Sequence, residues 1–259
     1  MCLITLNWQP GRAHPLLLAA NRDEFYARPT RSLHHWPGQH ILAGKDLQAG
    51  GTWLGLGICA SSGRIRLAAL TNYRDVANHR TDASSRGQIT ADFLNSSVSA
   101  KSYLEALRSS TSAYNPYNLI VFDGDQLMGF ESRHARLFAL PEGTTSVSNA
   151  DFNTPWPKLQ KLQSSFEQIL AANIDDDLLS NKIFKLLHDD SLALDQSLPR
   201  TGIPIARERI LSAAFIRSPD YGTRACSIIL MSEQFARFTE QSFDAKGLIC
   251  EASETILRS

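Results

Sequence analysis

A cysteine in position two, followed at once by an apolar strand, constrains this chain more than any other stretch. Cys2-Leu3-Ile4-Thr5-Leu6-Asn7 leads to a turn at Pro10-Gly11, and Leu16-Leu17-Leu18-Ala19-Ala20 returns into Asn21-Arg22-Asp23-Glu24-Phe25. Apolar and β-branched residues directly after residue 2 place the start of the chain in a buried strand, where it cannot fray. Removal of Met1, usual where the second residue is small, would give Cys2 both a thiol and an α-amine. The thiolate is a nucleophile, and an amine with an ordinary pKa of about 7.7–8.0 can serve as its base. In register, the hairpin brings Arg22 and Asp23 beside Cys2, an arginine that favours the thiolate and a carboxylate that can orient an ammonium. The same residues also read as a small buried residue and an ion pair at a strand end.

The 259 residues contain no linker, so a single domain over 1–259 is expected. Lys plus Arg equals Asp plus Glu at 26 each, which gives no reason to expect nucleic acid or an anionic membrane as partner. The four cysteines, at 2, 59, 226 and 250, show no CxxC spacing and read as reduced thiols of a cytoplasmic protein. No apolar run approaches the roughly 20 residues of a spanning helix, and the start lacks the basic and small-residue features of a secretory signal.

Residues 27–40, rich in Pro, Arg and His, read as a long loop, with His34, His35 and His40 a solvated group more than a ligand cluster. Asp46 and Gly50-Gly51-Thr52 precede Trp53-Leu54-Gly55, a glycine-rich turn into a strand and not a phosphate loop. Strands then end at Thr71-Asn72-Tyr73-Arg74 and at Ser148-Asn149-Ala150; an asparagine there can offer its amide to an oxyanion or cap a turn. Residues 85–94 and 100–109 have helical spacing, with Ser85 and Ser99 as caps. Asn115-Pro116-Tyr117-Asn118 opens a further strand, and Asp123-Gly124-Asp125 turns it back. Pro155-Trp156-Pro157 starts a helix with a stripe at Leu159, Leu162, Phe166 and Ile169, and a second helix follows Asp175-Asp176-Asp177. Strands close the chain from Tyr221-Gly222-Thr223-Arg224 onward. Strands grouped before and after helices predict α+β architecture, two antiparallel sheets face to face with helices outside.

These pieces together resemble the NRDE family, the Tango-two-like proteins of transport and Golgi organisation, over essentially the full length. The resemblance rests on Met1-Cys2, the run from Leu18 to Tyr26, Arg28-Pro29, Gly50 to Gly55, Ala68 to Tyr73, Asn118-Leu119-Ile120, Ser148-Asn149-Ala150 with Thr154-Pro155-Trp156, and Tyr221 to Arg224. It implies the four-layer αββα sandwich of N-terminal-nucleophile hydrolases. A more distant likeness to bile-salt and penicillin V acylases implies a catalytic set of Cys2, Arg22, Asp23, Asn72, Asn149 and Arg224. Asp23 stands closer to Arg22 than in the acylases, so Glu24 or Asp46 is an alternative for its role.

Three functions follow from the resemblance and the residues. The first is haem binding and trafficking between donor and acceptor proteins, with haem as cargo and no required cofactor or metal. The second is a Cys2-dependent hydrolase of linear amides, acting on a non-peptide C–N bond. The third is a lipid or acyl-CoA binding module. For any of them Asn21, Glu24, Asp46, Trp53, Tyr73, Arg74, Tyr117 and Trp156 are the candidate ligand-binding residues, aromatic walls and charges around one small molecule.

Overall fold

The structure is a computed structural model, which describes residues 2–172 and 174–257. Met1, whose removal the sequence reading invokes, lies outside the described residues.

Two antiparallel sheets carry the fold. One has six strands, in the order β10 (Gly143–Val147), β1 (Cys2–Trp8), β2 (Leu16–Phe25), β11 (Tyr221–Met231), β12 (Phe235–Asp244) and β13 (Gly247–Leu257). The other has seven in sequential order: β3 (Thr30–His35), β4 (Ile41–Asp46), β5 (Leu54–Ile58), β6 (Ile65–Asn72), β7 (Tyr117–Phe122), β8 (Leu127–Glu131) and β9 (Arg136–Ala139). The first hairpin forms as its sequence demands, with Cys2 opposite Arg22 and Ile4 opposite Ala20.

Because strand side chains alternate, the six-stranded sheet sorts its residues by parity. Ile4, Leu6, Leu16, Leu18 and Ala20 face the other sheet and pack with Leu54, Leu56, Leu67 and Ile120. Leu3, Leu17 and Ala19 face outward, under α3 (Pro157–Ala171) and α4 (Asp176–Leu187), whose Leu162, Phe166 and Ile183 cover them. On the far side, α1 (Gly87–Asn95) and α2 (Ala100–Arg108) cover the seven-stranded sheet through Phe93, Leu94 and Leu104. A short α5 (Ile205–Ile210) precedes β11.

Two readings of the sequence need correction. Residues 30–35 are a strand, not a loop: β3 is the edge of its sheet, and a half-exposed edge tolerates the polar Arg31, Ser32 and His34 that hid it. Helix α1 is preceded by Arg86, without a side-chain cap, so Ser85 does not cap it; Ser99 does cap α2, accepting from the Ser102 amide at 3.1 Å.

Gly51 sets where α1 begins. A Cβ there would lie 2.2 Å from the Gly87 carbonyl carbon, and the Thr52 amide bonds the Gly87 carbonyl at 3.1 Å. Gly51→Ala therefore pushes the start of α1 outward and lowers stability by about 1–3 kcal/mol, measured as a shift of the urea unfolding midpoint.

Candidate functional site

A cleft of about 590 Å³ opens where the two sheets part, and Cys2 lies in its wall. Its lining contains six arginines and one lysine against four carboxylates, in a chain whose formal net charge is zero. The positive charges are thus concentrated in this cleft.

Register explains which side chains reach it. Cys2 and Arg22 are cross-strand partners and share the inward face, and Ala225 and Ser242 continue that row across β11 and β12. Burial pushes the Cys2 thiol up to about 11, opposed by the nearby Arg22 guanidinium, so Cys2 is a neutral thiol at pH 7. Among the described residues Arg22 has one long ion contact, 3.6 Å to Glu24, which also approaches Arg28 at 3.8 Å. Arg28 is committed instead to Asp46, through Nε at 2.8 Å and Nη2 at 2.7 Å. Burial lowers the pKa of Arg86, which stands at the start of α1 and donates to the Pro116 carbonyl at 3.2 Å. Among the described residues Arg86 pairs with no carboxylate, so Arg22 and Arg86 are the half-buried cations best placed to take an anion beside Cys2.

Glu240 is the buried acid of this wall, 3% exposed, and burial raises its pKa. It accepts from the Leu33 amide at 2.8 Å and from Ser242 Oγ at 3.0 Å, fastening β3 to β12.

Asn72 also borders the cleft, and its amide has no partner among the described residues. Asn149 does not reach the cleft. Its Nδ2 donates to the Asn72 carbonyl at 2.9 Å, and its Oδ1 accepts from Ser148 Oγ at 3.3 Å. Ser148 Oγ also donates to the Cys2 carbonyl at 3.1 Å. Asn149 and Ser148 therefore brace Asn72 against Cys2, leaving Asn72 as the amide that could meet an oxyanion.

Asp23, one residue after Arg22, also borders the cleft, although strand parity sets its side chain on the opposite face. It is 1% exposed, its pKa raised by burial, and Thr223 Oγ1 donates to it at 2.8 Å. Asn21 shares that face and anchors the Leu187 and Ala214 carbonyls, at 2.7 and 2.8 Å. Arg224 sits at the bulge between Thr223 and Ala225, which turns it toward the chain crossing above. It donates to the Phe25, Tyr26, Arg28 and Phe243 carbonyls at 2.8–3.2 Å, a structural clamp at the cleft margin.

Of the aromatic candidates only Trp53 borders the cleft. Tyr73, Arg74 and Trp156 line a separate pocket of about 490 Å³ behind Asn149, where Arg74 stacks on Trp156 at 4.9 Å and pairs with Glu208 at 2.8 Å. Tyr117 is in the core under α1 and α2, fully buried. Sequence reasoning passed over Arg86, Ser148, Glu240 and Lys158. The last is a lysine only 5% exposed on α3, and the signal for it was a charge set one residue past Pro157 at the start of a helix whose stripe is core.

Arg22→Gln removes a permanent positive charge beside the thiol. The Cys2 thiol then rises further, and its alkylation by iodoacetamide slows several-fold, by the same factor at every pH below the thiol's own, as read by peptide mass spectrometry.

The model of a family described as Transport and Golgi organisation 2 matches residues 1–245. A Bos taurus protein named Transport and Golgi organization protein 2 homolog is 36% identical over 263 residues, covering 93% of this chain and 93% of its own. The Homo sapiens homolog of that name is 33% identical, over 96% and 95% of the two chains. A Drosophila melanogaster protein named Transport and Golgi organization protein 2 is 30% identical, over 93% and 92%.

Proposed function

The chain belongs to the Transport and Golgi organisation 2 family, and on that premise we propose that it binds an anionic acyl thioester of the acyl-CoA kind in the cleft over Cys2. The observation that carries this reading is the surplus of cations around a buried thiol, with Arg22 held only by a long contact to Glu24 and Arg86 by a backbone carbonyl. Burying guanidinium groups without carboxylates costs stability, and an arriving polyanion offsets that cost. A CoA thioester brings several phosphate charges for the arginines and an acyl carbonyl for the braced Asn72 amide. The volume lies within the roughly 300–1,000 Å³ range of small-molecule sites, and the open mouth leaves a nucleotide end outside. In this reading the fold is the αββα arrangement of N-terminal-nucleophile hydrolases, and Cys2 contacts the ligand as a neutral thiol.

Two observations favour other uses of the same cleft. Arg22 and Arg86 could equally hold the two propionates of haem, with His79 at the margin and Cys2 in the wall as weak axial ligands, the affinity a trafficking protein needs. The Ser148–Asn149–Asn72 brace could equally serve amide hydrolysis. After loss of Met1, the Cys2 amine would take the thiol proton and the sulfur would attack the carbonyl, with Asn72 stabilising the oxyanion; the amine would then pass that proton to the leaving nitrogen as the C–N bond breaks, and water would release the acyl group from Cys2.

Titration calorimetry with decanoyl-CoA and a Soret titration with haem, on the same full-length protein, separate these readings. Saturable one-to-one binding of decanoyl-CoA is expected, retained in Cys2→Ala and weakened about tenfold or more in Arg22→Gln and Arg86→Gln. Absence of saturable thioester binding would overturn the proposal. A saturating Soret change altered by Cys2→Ala would install haem in its place, and release of free CoA that stops in Cys2→Ala would make the protein a hydrolase.

A further inference from the structure

We propose that the pocket of about 490 Å³ behind Asn149 is a second ligand site, separate from the cleft, for a small aromatic ring carrying one anionic group. The pocket and the cleft have no lining residue in common. Its walls come from the segment after β6, the turn after β8, the end of β10, the residue before α3 and the loop ahead of α5. Asn149, on the pocket's wall, ties it to the cleft: its carbonyl accepts from the Arg74 amide at 2.7 Å, and its Nδ2 donates to the Asn72 carbonyl at 2.9 Å. The volume lies within the roughly 300–1,000 Å³ range of small-molecule sites.

Guanidinium planes and rings line this pocket in pairs. Arg74 stands over Trp156 at 4.9 Å, and Arg133 stands over Tyr73 at 5.0 Å. A guanidinium held against a ring is planar and fixed in place, which suits a flat ligand better than the flexible point charge of a lysine. The walls are also pinned before any ligand arrives. Glu208, buried and outside the lining, accepts from Arg74 Nη1 at 2.8 Å and from the Thr201 amide at 3.1 Å. One carboxylate therefore fixes both an arginine and the loop at 199–202, while Asp75 pairs with Arg133. A site ordered in advance spares the ligand the cost of ordering it.

Charge sets the class of ligand. Three arginines and one carboxylate line the pocket. Glu208 balances Arg74 and Asp75 balances Arg133, which leaves Arg200, an exposed residue with no ion pair among the described residues. One unmatched guanidinium beside two guanidinium–ring pairs fits one negative group on a flat ring. Arg200 takes the carboxylate or phosphate in its fork of donors, and the ring stacks against the Arg74–Trp156 or Arg133–Tyr73 pair. A bare anion leaves the stacks unused, and a neutral ring leaves Arg200 unmatched.

The test is titration calorimetry on the full-length protein with indole-3-carboxylate and with AMP, the carboxylate and phosphate-ester forms of such a ligand, and with indole and inorganic phosphate as its two halves. Saturable one-to-one binding of indole-3-carboxylate or AMP is expected, about tenfold or more tighter than either half. Whichever of the two binds names the anionic group. Arg200→Gln, an exposed substitution whose thermal midpoint should match wild type, should weaken that binding about tenfold and leave decanoyl-CoA binding as it is. No saturable binding of either compound overturns the inference, as does binding that Arg200→Gln leaves intact or that indole or phosphate alone reproduces. None of these failures touches thioester binding in the cleft, which is read with decanoyl-CoA and with the arginines of the cleft.

Discussion

Everything in the site depends on the pairing of Cys2 with Arg22 across the first two strands. It holds the second residue of the chain inside a sheet, with β10 on its other side and Ser148 bonded to the Cys2 carbonyl. A one-residue slip would send Cys2 and Arg22 to the helical face and bring Leu3 and Asn21 into the cleft. The slip is blocked by apolar residues on both faces, Ile4 and Leu6 inward, Leu3 and Leu17 outward, and by the two carbonyls that Asn21 holds at 2.7 and 2.8 Å. The core that stabilises the domain is therefore also what aims its thiol.

The same parity divides the adjacent triplet Arg22-Asp23-Glu24 between two chemistries. Arg22 and Glu24 line the cleft, where water reaches them. Asp23, bonded by Thr223, is 1% exposed, and Lys158 in the first turn of α3 is 5% exposed. Charges on that dry side are screened less than the arginines of the open cleft.

Much of this was legible in the sequence, and the exceptions have physical causes. The hairpin register, the two long helices and the grouping of strands follow from period-two and helical spacing, and each is present. Strand β3 was lost because an edge strand need not alternate cleanly, and its histidines and arginine look like loop. Cys2, Arg22, Asn72 and Asp46 were read as neighbours and do share a cleft. Asn149 and Asn72 both end strands, but which of the two keeps a free amide depends on a side-chain bond across 77 positions that spacing cannot show. Tyr117, Tyr73 and Trp156 went astray because an aromatic near a strand end carries no mark of which face it joins. Arg86 and Lys158 were hidden in helical starts, where basic residues ordinarily look outward.

Buried charge that a fold could replace by apolar side chains of equal volume is poor evidence of stabilisation. Two lysine or arginine ions, Lys158 and Arg74, and two acids, Asp23 and Glu208, lie almost fully buried behind the sheet of this protein, and their formal charges cancel. Such a balanced set adds no net charge to the interior. The cleft side is unbalanced, with more cations than acids in its wall. An uncompensated front and a compensated back let one face of the sheet wait for an anion while the other stays dry and packed under its helices, and the strand parity that assigns neighbouring residues to the two faces builds both from one hairpin.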